Sequence, residues 1–352
     1  MKRYFIIALL PLGFLISFSL SYRPELIEDY YARVVYQYLA RGLSRLTGLL
    51  PFSLAELIII FLVFFSIIVI IRTIFFKKIP VKSLLGGAAM GISLVYFLFI
   101  LLWGLNYHRQ PFAEIAGLEV RPSSVEELEE LCTKLIGEVN RLRPFVTEND
   151  QGITSNPAGD RDVFARAGEG YRTAAAIYPE LGGDFGRPKG VFLSHLMCYT
   201  GISGVYFPFT AEANVNTLTP DPMLPATTCH EMAHQRGFAR EDEANFIAYL
   251  TCTMHPDIYF QYSGNLLALI HSMNALYRYN PVGYRDLSQE YNRGVRDDLK
   301  YISDFWDRYE GPVEKISSKI NDTYLKANLQ REGIYSYGRM VDLLLALARQ
   351  KG

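Results

Sequence analysis

Three apolar runs open the chain: Tyr4 to Leu20, Leu57 to Phe76 and Leu84 to Gly104. The last two are long enough to cross a hydrocarbon core of about 30 Å as helices. Ile58 to Ile71 carries no polar side chain beyond Ser66, which suits lipid better than the interior of a soluble domain. The first run lies behind Lys2 and Arg3 and contains Ser17 and Ser19, with Ser21 just beyond. It reads as a third span or as a signal peptide, and the missing Ala-x-Ala-like site favours the span. Between the first two runs, Leu26 to Leu50 has helical spacing and two tyrosine pairs. That pattern predicts a helix lying at the membrane surface.

From about Leu105 the pattern becomes that of one folded domain of ordinary size. Val125 to Leu142 is amphipathic with helical period, and Ser123 and Ser124 are available to cap it. Glu148 to Asp162, rich in Asn, Asp and Gly, predicts a loop. Val191 to Leu196 and Gly204 to Phe209 are β-branched and aromatic and predict two strands. Leu266 to Tyr277, Tyr291 to Tyr309, Val313 to Leu325 and Gly338 to Arg349 predict helices. The expected fold class is α+β, mostly α: a membrane anchor over residues 1–104 and a second domain over residues 105–352.

Hydrophobic residues make up 50% of the chain and aromatics 14%, an excess concentrated in the anchor. The net charge of -1 argues against nucleic acid as a partner. Lys2 and Arg3 precede the first run, while Arg72, Lys77, Lys78 and Lys82 surround the link between the second and third. The positive-inside rule therefore makes the N-terminus and that link cytoplasmic. Three spans then place the domain outside, in a multi-pass protein of the cell membrane. Cys132, Cys198, Cys229 and Cys252 form no CxxC pair and so no zinc ribbon. An extracytoplasmic site permits a disulfide, and Cys229 with Cys252 is the pair to examine.

The candidate chemistry sits in Cys229-His230-Glu231-Met232-Ala233-His234. Residues four apart share a helix face, so His230 and His234 can grip one metal ion together. Glu231 follows the first ligand, where its carboxylate can act as general base on zinc-bound water. Cys229 points about 100° away from His230 and reads as packing. Zinc needs a third protein ligand and an open position, for which Glu241, Asp242 and Glu243 are the candidates. A third histidine six residues after His234, as in metzincin-type sites, is not available, because Arg240 stands there. Glu241 and Asn245 share a helical face, whereas Glu243 lies about 200° away from Glu241. The expected set is therefore His230, His234 and Glu241, with Asn245 supporting a ligand imidazole and Glu243 solvated or paired with Arg240.

Glu241-Asp242-Glu243-Ala244-Asn245 resembles the Glu-x-x-(small)-(Asp/Asn) pattern that carries the third ligand of gluzincin peptidases. It departs from them in having only six residues between His234 and Glu241. The wider stretches Val205 to Asn216 and Cys229 to Leu250 are similar to a bacterial family of membrane-anchored zincin-like proteins catalogued as a domain of unknown function. So are Tyr324-Leu-Lys-Ala-Asn328 and Tyr335 to Leu345. The resemblance implies a zincin-like domain and a metal site, and names no substrate.

These readings lead to an expected zinc-dependent metallopeptidase acting on a peptide or protein outside the cytoplasm. The oxyanion donor is open among Tyr335, Tyr337, Arg339, His255 and His271, and Gly204 to Phe209 is a candidate edge strand for an extended peptide. The alternative is a zinc-binding structural or sensory membrane protein without turnover, which predicts a closed four-ligand site. A di-iron bundle would need a second Glu-x-x-His, which the other histidines do not supply. Transport is disfavoured by spans without a midplane charge.

Overall fold

The computed structural model describes residues 2–76, 80–328 and 339–351 and is mostly helical. Helix α1 spans Lys2–Leu20, and a π-wound segment, Ile27–Val35, leads into α2, Tyr36–Gly48. Next come α3, Leu54–Ile74, and α4, Val81–Leu102, which are long and apolar enough to cross a membrane and are almost unburied. Most of their apolar side chains are exposed, the condition of a helix whose solvent is lipid, and α4 packs along α1. The first apolar run passes that test only together with Pro24–Gly48, from which it is bent by 107°. Lys77 and Lys78 lie outside the described residues.

The domain adds α5, Val125–Leu142, closed at its start by a reciprocal Ser124–Glu127 capping box. Strands β1, Lys189–Val191, β2, Gly204–Phe207, and β3, Glu212–Asn216, form one sheet in the order β1-β3-β2. β1 runs parallel to β3, and β2 pairs antiparallel to it, with Val205 opposite Asn214. Then follow α6, Leu224–Gln235, α7, Glu241–Thr253, α8, Ile258–Tyr279, α9, Arg293–Asp307, α10, Pro312–Ala327, and α11, Met340–Lys351. The core lies between α5, α6, α7, α8 and α11, where Leu135, Val139, Phe246, Leu250, Leu266 and Leu344 are buried.

Two expectations need correction. The strand expected over Val191 to Leu196 ends at Val191, and Ser194–Cys198 turns as a short helix. The central strand β3 was not foreseen, because every position is buried whatever its polarity. Its Glu212, Asn214 and Asn216 are satisfied by Lys189, Ser53 and the Ile202 carbonyl respectively; polar and apolar residues do alternate along it, but Glu and Asn are poor strand formers and hide the pattern.

The helix expected at the membrane surface is also a structural part of the domain. Tyr36 and Ala40 of α2 are buried with Trp103, Tyr107, Tyr206, Ala211 and Ala239. Buried Glu28 makes a two-pronged ion pair with buried Arg109 at 2.8 Å, and Arg109 also donates to the Gly237 carbonyl. Across the same joint, Tyr30, Val34, Tyr38 and Leu39 remain exposed, so one face of this segment serves the domain and the other is left apolar.

Candidate metal centre

Pro225 enters the first turn of α6, where its missing N–H costs nothing. The helix ends in a Schellman turn: Gly237 N–H donates to the His234 carbonyl and Phe238 N–H to the Ala233 carbonyl. Gly237 has φ +88°, and a Cβ there would stand 2.8 Å from the Tyr36 ring, so both torsion and crowding demand glycine. Tyr36 Oη lies 3.2 Å from the Gln235 carbonyl and Gln37 Nε2 donates to that of Arg236. The segment between the first two apolar runs thus caps α6.

The turn also aims His234. Its Nδ1 lies 2.7 Å from the Phe238 carbonyl, so Nδ1–H donates and Nε2 is left with a lone pair. His230 Nδ1 is placed the same way, 2.8 Å from Asn245 Oδ1. The two Nε2 atoms stand 3.0 Å apart. Glu241, at the start of α7, brings one oxygen to 3.2 Å from His230 Nε2 and the other to 3.6 Å from His234 Nε2. The ligand atoms of these three residues lie within 4.8 Å of one another, and tetrahedral zinc separates neighbouring ligands by about 3.3 Å. The trio fits a zinc ion.

Electrostatics agree with that fit. Burial opposes charge on His234, yet the adjacent Glu241 raises its pKa to about 9. Burial alone would raise Glu241, but His234 and His230 overcome it and hold the carboxyl far below the ordinary range. The carboxylate thus draws positive charge onto His234, beside the place a metal cation would occupy. Burial pushes neighbouring Glu231 up to about 7, against the pull of His230 and His234. Glu231 Oε2 is buried with no hydrogen-bond partner, and its other oxygen lies where a Cβ on Gly204 would come to 2.5 Å. The edge strand β2 can lie this close to the carboxylate only because residue 204 has no side chain.

Trp103, Tyr107, Tyr206, His271 and Tyr324 join these groups around a cavity of about 500 Å³. Tyr107 and Tyr324 share a 2.8 Å hydrogen bond between hydroxyls. Burial raises the pKa of both, so they remain proton donors. Of the other candidate donors, His255 is bound to Arg166 and Asp257 away from the cavity. Arg339 faces Asp242 at 3.9 Å, and Tyr335 and Tyr337 lie outside the described residues. Glu243 is buried rather than solvated; it accepts from Arg240 and from the Phe112 N–H, each at 2.8 Å. Cys229 and Cys252 are buried free thiols within hydrogen-bonding reach of each other. Sequence reasoning missed Tyr107, Tyr206 and Tyr324 as lining residues; Tyr206 and Tyr324 carried a signal, in the Val205 to Asn216 and tail stretches of the family resemblance, and Tyr107 carried none.

Fold and site together define a mostly helical protein with two helices of membrane-spanning character and a His–His–Glu group able to hold a metal ion. The chain belongs to the family described as Protein of unknown function (DUF3810), whose model matches residues 31–345. No curated protein and no solved structure matches it.

Proposed function

We propose that the protein is a membrane-anchored zinc metallopeptidase that hydrolyses peptide bonds outside the cytoplasm. The observation that carries this reading is the convergence of His230, His234 and Glu241 beside a buried, unpartnered Glu231 oxygen in an open cavity. Three protein ligands leave a tetrahedral ion one open position, which turnover needs and a closed structural site lacks. A zinc ion held by the trio would supply a Lewis acid that polarises the scissile carbonyl and acidifies water.

The chain's own residues do the rest. Glu231 accepts a proton from the attacking water, whose oxygen bonds to the carbonyl carbon, and delivers that proton to the amine as the C–N bond breaks. A pKa near 7 suits a group that must both take and return a proton. Tyr107 and Tyr324, kept protonated by burial, line the cavity and would donate to the carbonyl oxygen as it gains charge. Strand β2 is the sheet's edge along the cavity wall, where an extended peptide can add.

The test is metal analysis of the purified full chain, followed by an assay for released peptides with and without a chelator. Stoichiometric zinc and chelator-sensitive release are expected. Glu231→Gln should keep the zinc and lose the release, since it removes a proton acceptor and no ligand. Parent-rate hydrolysis by that variant would sink the general-base assignment.

A further inference from the structure

A second cavity, of about 320 Å³, lies where α3 leaves the domain. One wall is the first two turns of α3, with Ile59 and Ile60; the other carries Leu193, Leu196, Met197 and Phe207. Every polar side chain in its lining is already engaged within the protein. Both Glu56 oxygens accept from the Phe192 and Leu193 N–H groups. Ser53 donates to Asn214, whose amide donates to the Val205 and Glu212 carbonyls, and Thr200 donates to the Met197 carbonyl. What remains toward the cavity is hydrocarbon, and nothing there asks for a polar ligand.

Its position decides what kind of hydrocarbon. Ile60 lies about 9 Å along α3 from the helix start, so the groove begins at the domain and runs down the side of a membrane-spanning helix. At its other end it meets the metal cavity: Ile202 and Val205 line both. Strand β2 is the partition. Alternation sends Gly204 and Tyr206 to the metal side and Val205 and Phe207 to the groove side. Phe192 and Leu196, exposed at 90% and 60%, extend the apolar surface beside it.

We infer that this groove binds the fatty-acyl chain of an acylated peptide substrate, holding the chain while the peptide crosses β2 to the metal centre. The inference rests on the hydrolase reading above and supplies its substrate class: a polypeptide with an acyl chain close to the bond that is cut. A bilayer phospholipid chain is the competing occupant, and the nearness of the metal cavity, across a wall one strand thick with Ile202 and Val205 lining both sides, favours the substrate's own chain.

The test uses the full chain loaded with zinc and two peptides of one sequence, one carrying an octanoyl chain with a photoreactive diazirine. Below its micelle-forming concentration, the acylated peptide should half-saturate at roughly a tenfold lower concentration, because each methylene moved from water to an apolar wall favours the bound state. Crosslinks should map to Leu196, Met197 and Phe207. Met197→Trp, which fills the groove, should remove the acyl advantage without changing zinc content or affinity for the plain peptide. Leu196→Asp, at an exposed position that tolerates a charge in the fold, should weaken the acylated peptide in the same direction. Half-saturation within about twofold for the two peptides would overturn the inference. So would crosslinks confined to α1 and α4, or a diazirine phospholipid in the groove that the acylated peptide fails to displace. Groove labelling without hydrolysis of any peptide would leave the acyl site standing and remove the peptidase.

Discussion

Neither Glu241 nor Glu243 is exposed, yet they do different work, and about half a turn of helix separates the outcomes of removing them. Glu241 faces both imidazoles, while Glu243 holds the Phe112 N–H and the Arg240 guanidinium. Glu241→Ala should therefore lose most of the zinc, as His230→Ala and His234→Ala should. Asn245→Ala should weaken the metal by roughly ten- to a hundredfold, as loss of an imidazole's supporting partner does. Glu243→Ala should keep the zinc and lower stability instead; zinc content measured beside a melting curve separates the two effects. Gly204→Ala probes the base alone. A Cβ there meets Glu231 at 2.5 Å, so the carboxylate must shift, and misplacement on the ångström scale costs roughly a hundredfold in rate. Unchanged activity with zinc retained would mean that β2 gives way rather than Glu231. Spacing along one helix was enough to single out His230, Glu231 and His234. Tyr206, from β2, and Tyr107, just beyond α4, reach the cavity only through the fold; the strand pattern of Gly204 to Phe209 includes Tyr206 without saying what it faces, and no local pattern marks Tyr107.

At the scale of elements, the joint between α3 and the domain depends on one buried cluster. Glu212 of β3 accepts the Leu54 and Ala55 N–H groups, at 3.1 and 2.8 Å, at the positive end of α3. Lys189 of β1 pairs with Glu212 at 2.6 Å and donates to the Thr47 and Phe52 carbonyls. Removing one partner of so buried a pair leaves an uncompensated charge, so Glu212→Ala should cost about 3–5 kcal/mol. Lys189→Met together with Glu212→Leu should recover part of that loss, because no lone charge remains. Chemical denaturation of the full chain in detergent reads both; equal losses for the single and double variants would contradict the charge argument. This cluster also shows where the sequence falls silent. The helix over Val125 to Leu142 was legible to the residue, because its apolar stripe and its capping box are both local. Strand β3 was not, since Glu212 and Asn214 owe their buried places to Lys189 and Ser53, which lie far from them along the chain.

Across the whole molecule, the packing of the helices constrains which ends lie together. Ser17, near the end of α1, bonds His108 just beyond α4 at 2.8 Å, while Gly13 packs against Tyr96 and Phe97 of α4. α1 and α4 therefore run parallel, with their last turns toward the domain. α3 starts from the domain at Ser53 and Glu212, so it runs the other way. The chain thus leaves the domain along α3 and returns to it along α4, with Ile74 and Val81 at the ends away from the domain. The N-terminus belongs with those ends if α1 crosses the membrane as a single span. Lys2, Arg3, Arg72, Lys77, Lys78 and Lys82 would then share one face of the bilayer, the face that the positive-inside rule makes cytoplasmic. Reporter fusions after Lys78 and after Arg109 should accordingly fall on opposite sides, with the Lys78 fusion in the cytoplasm and the Arg109 fusion outside. A cysteine placed ahead of α1 should be labelled from the Lys78 side. Labelling from the domain side would mean that α1 does not cross the bilayer as a span. Both fusions in the cytoplasm would remove α3 and α4 as spans and put the metal centre inside the cell, where Cys229 and Cys252 would be kept as thiols.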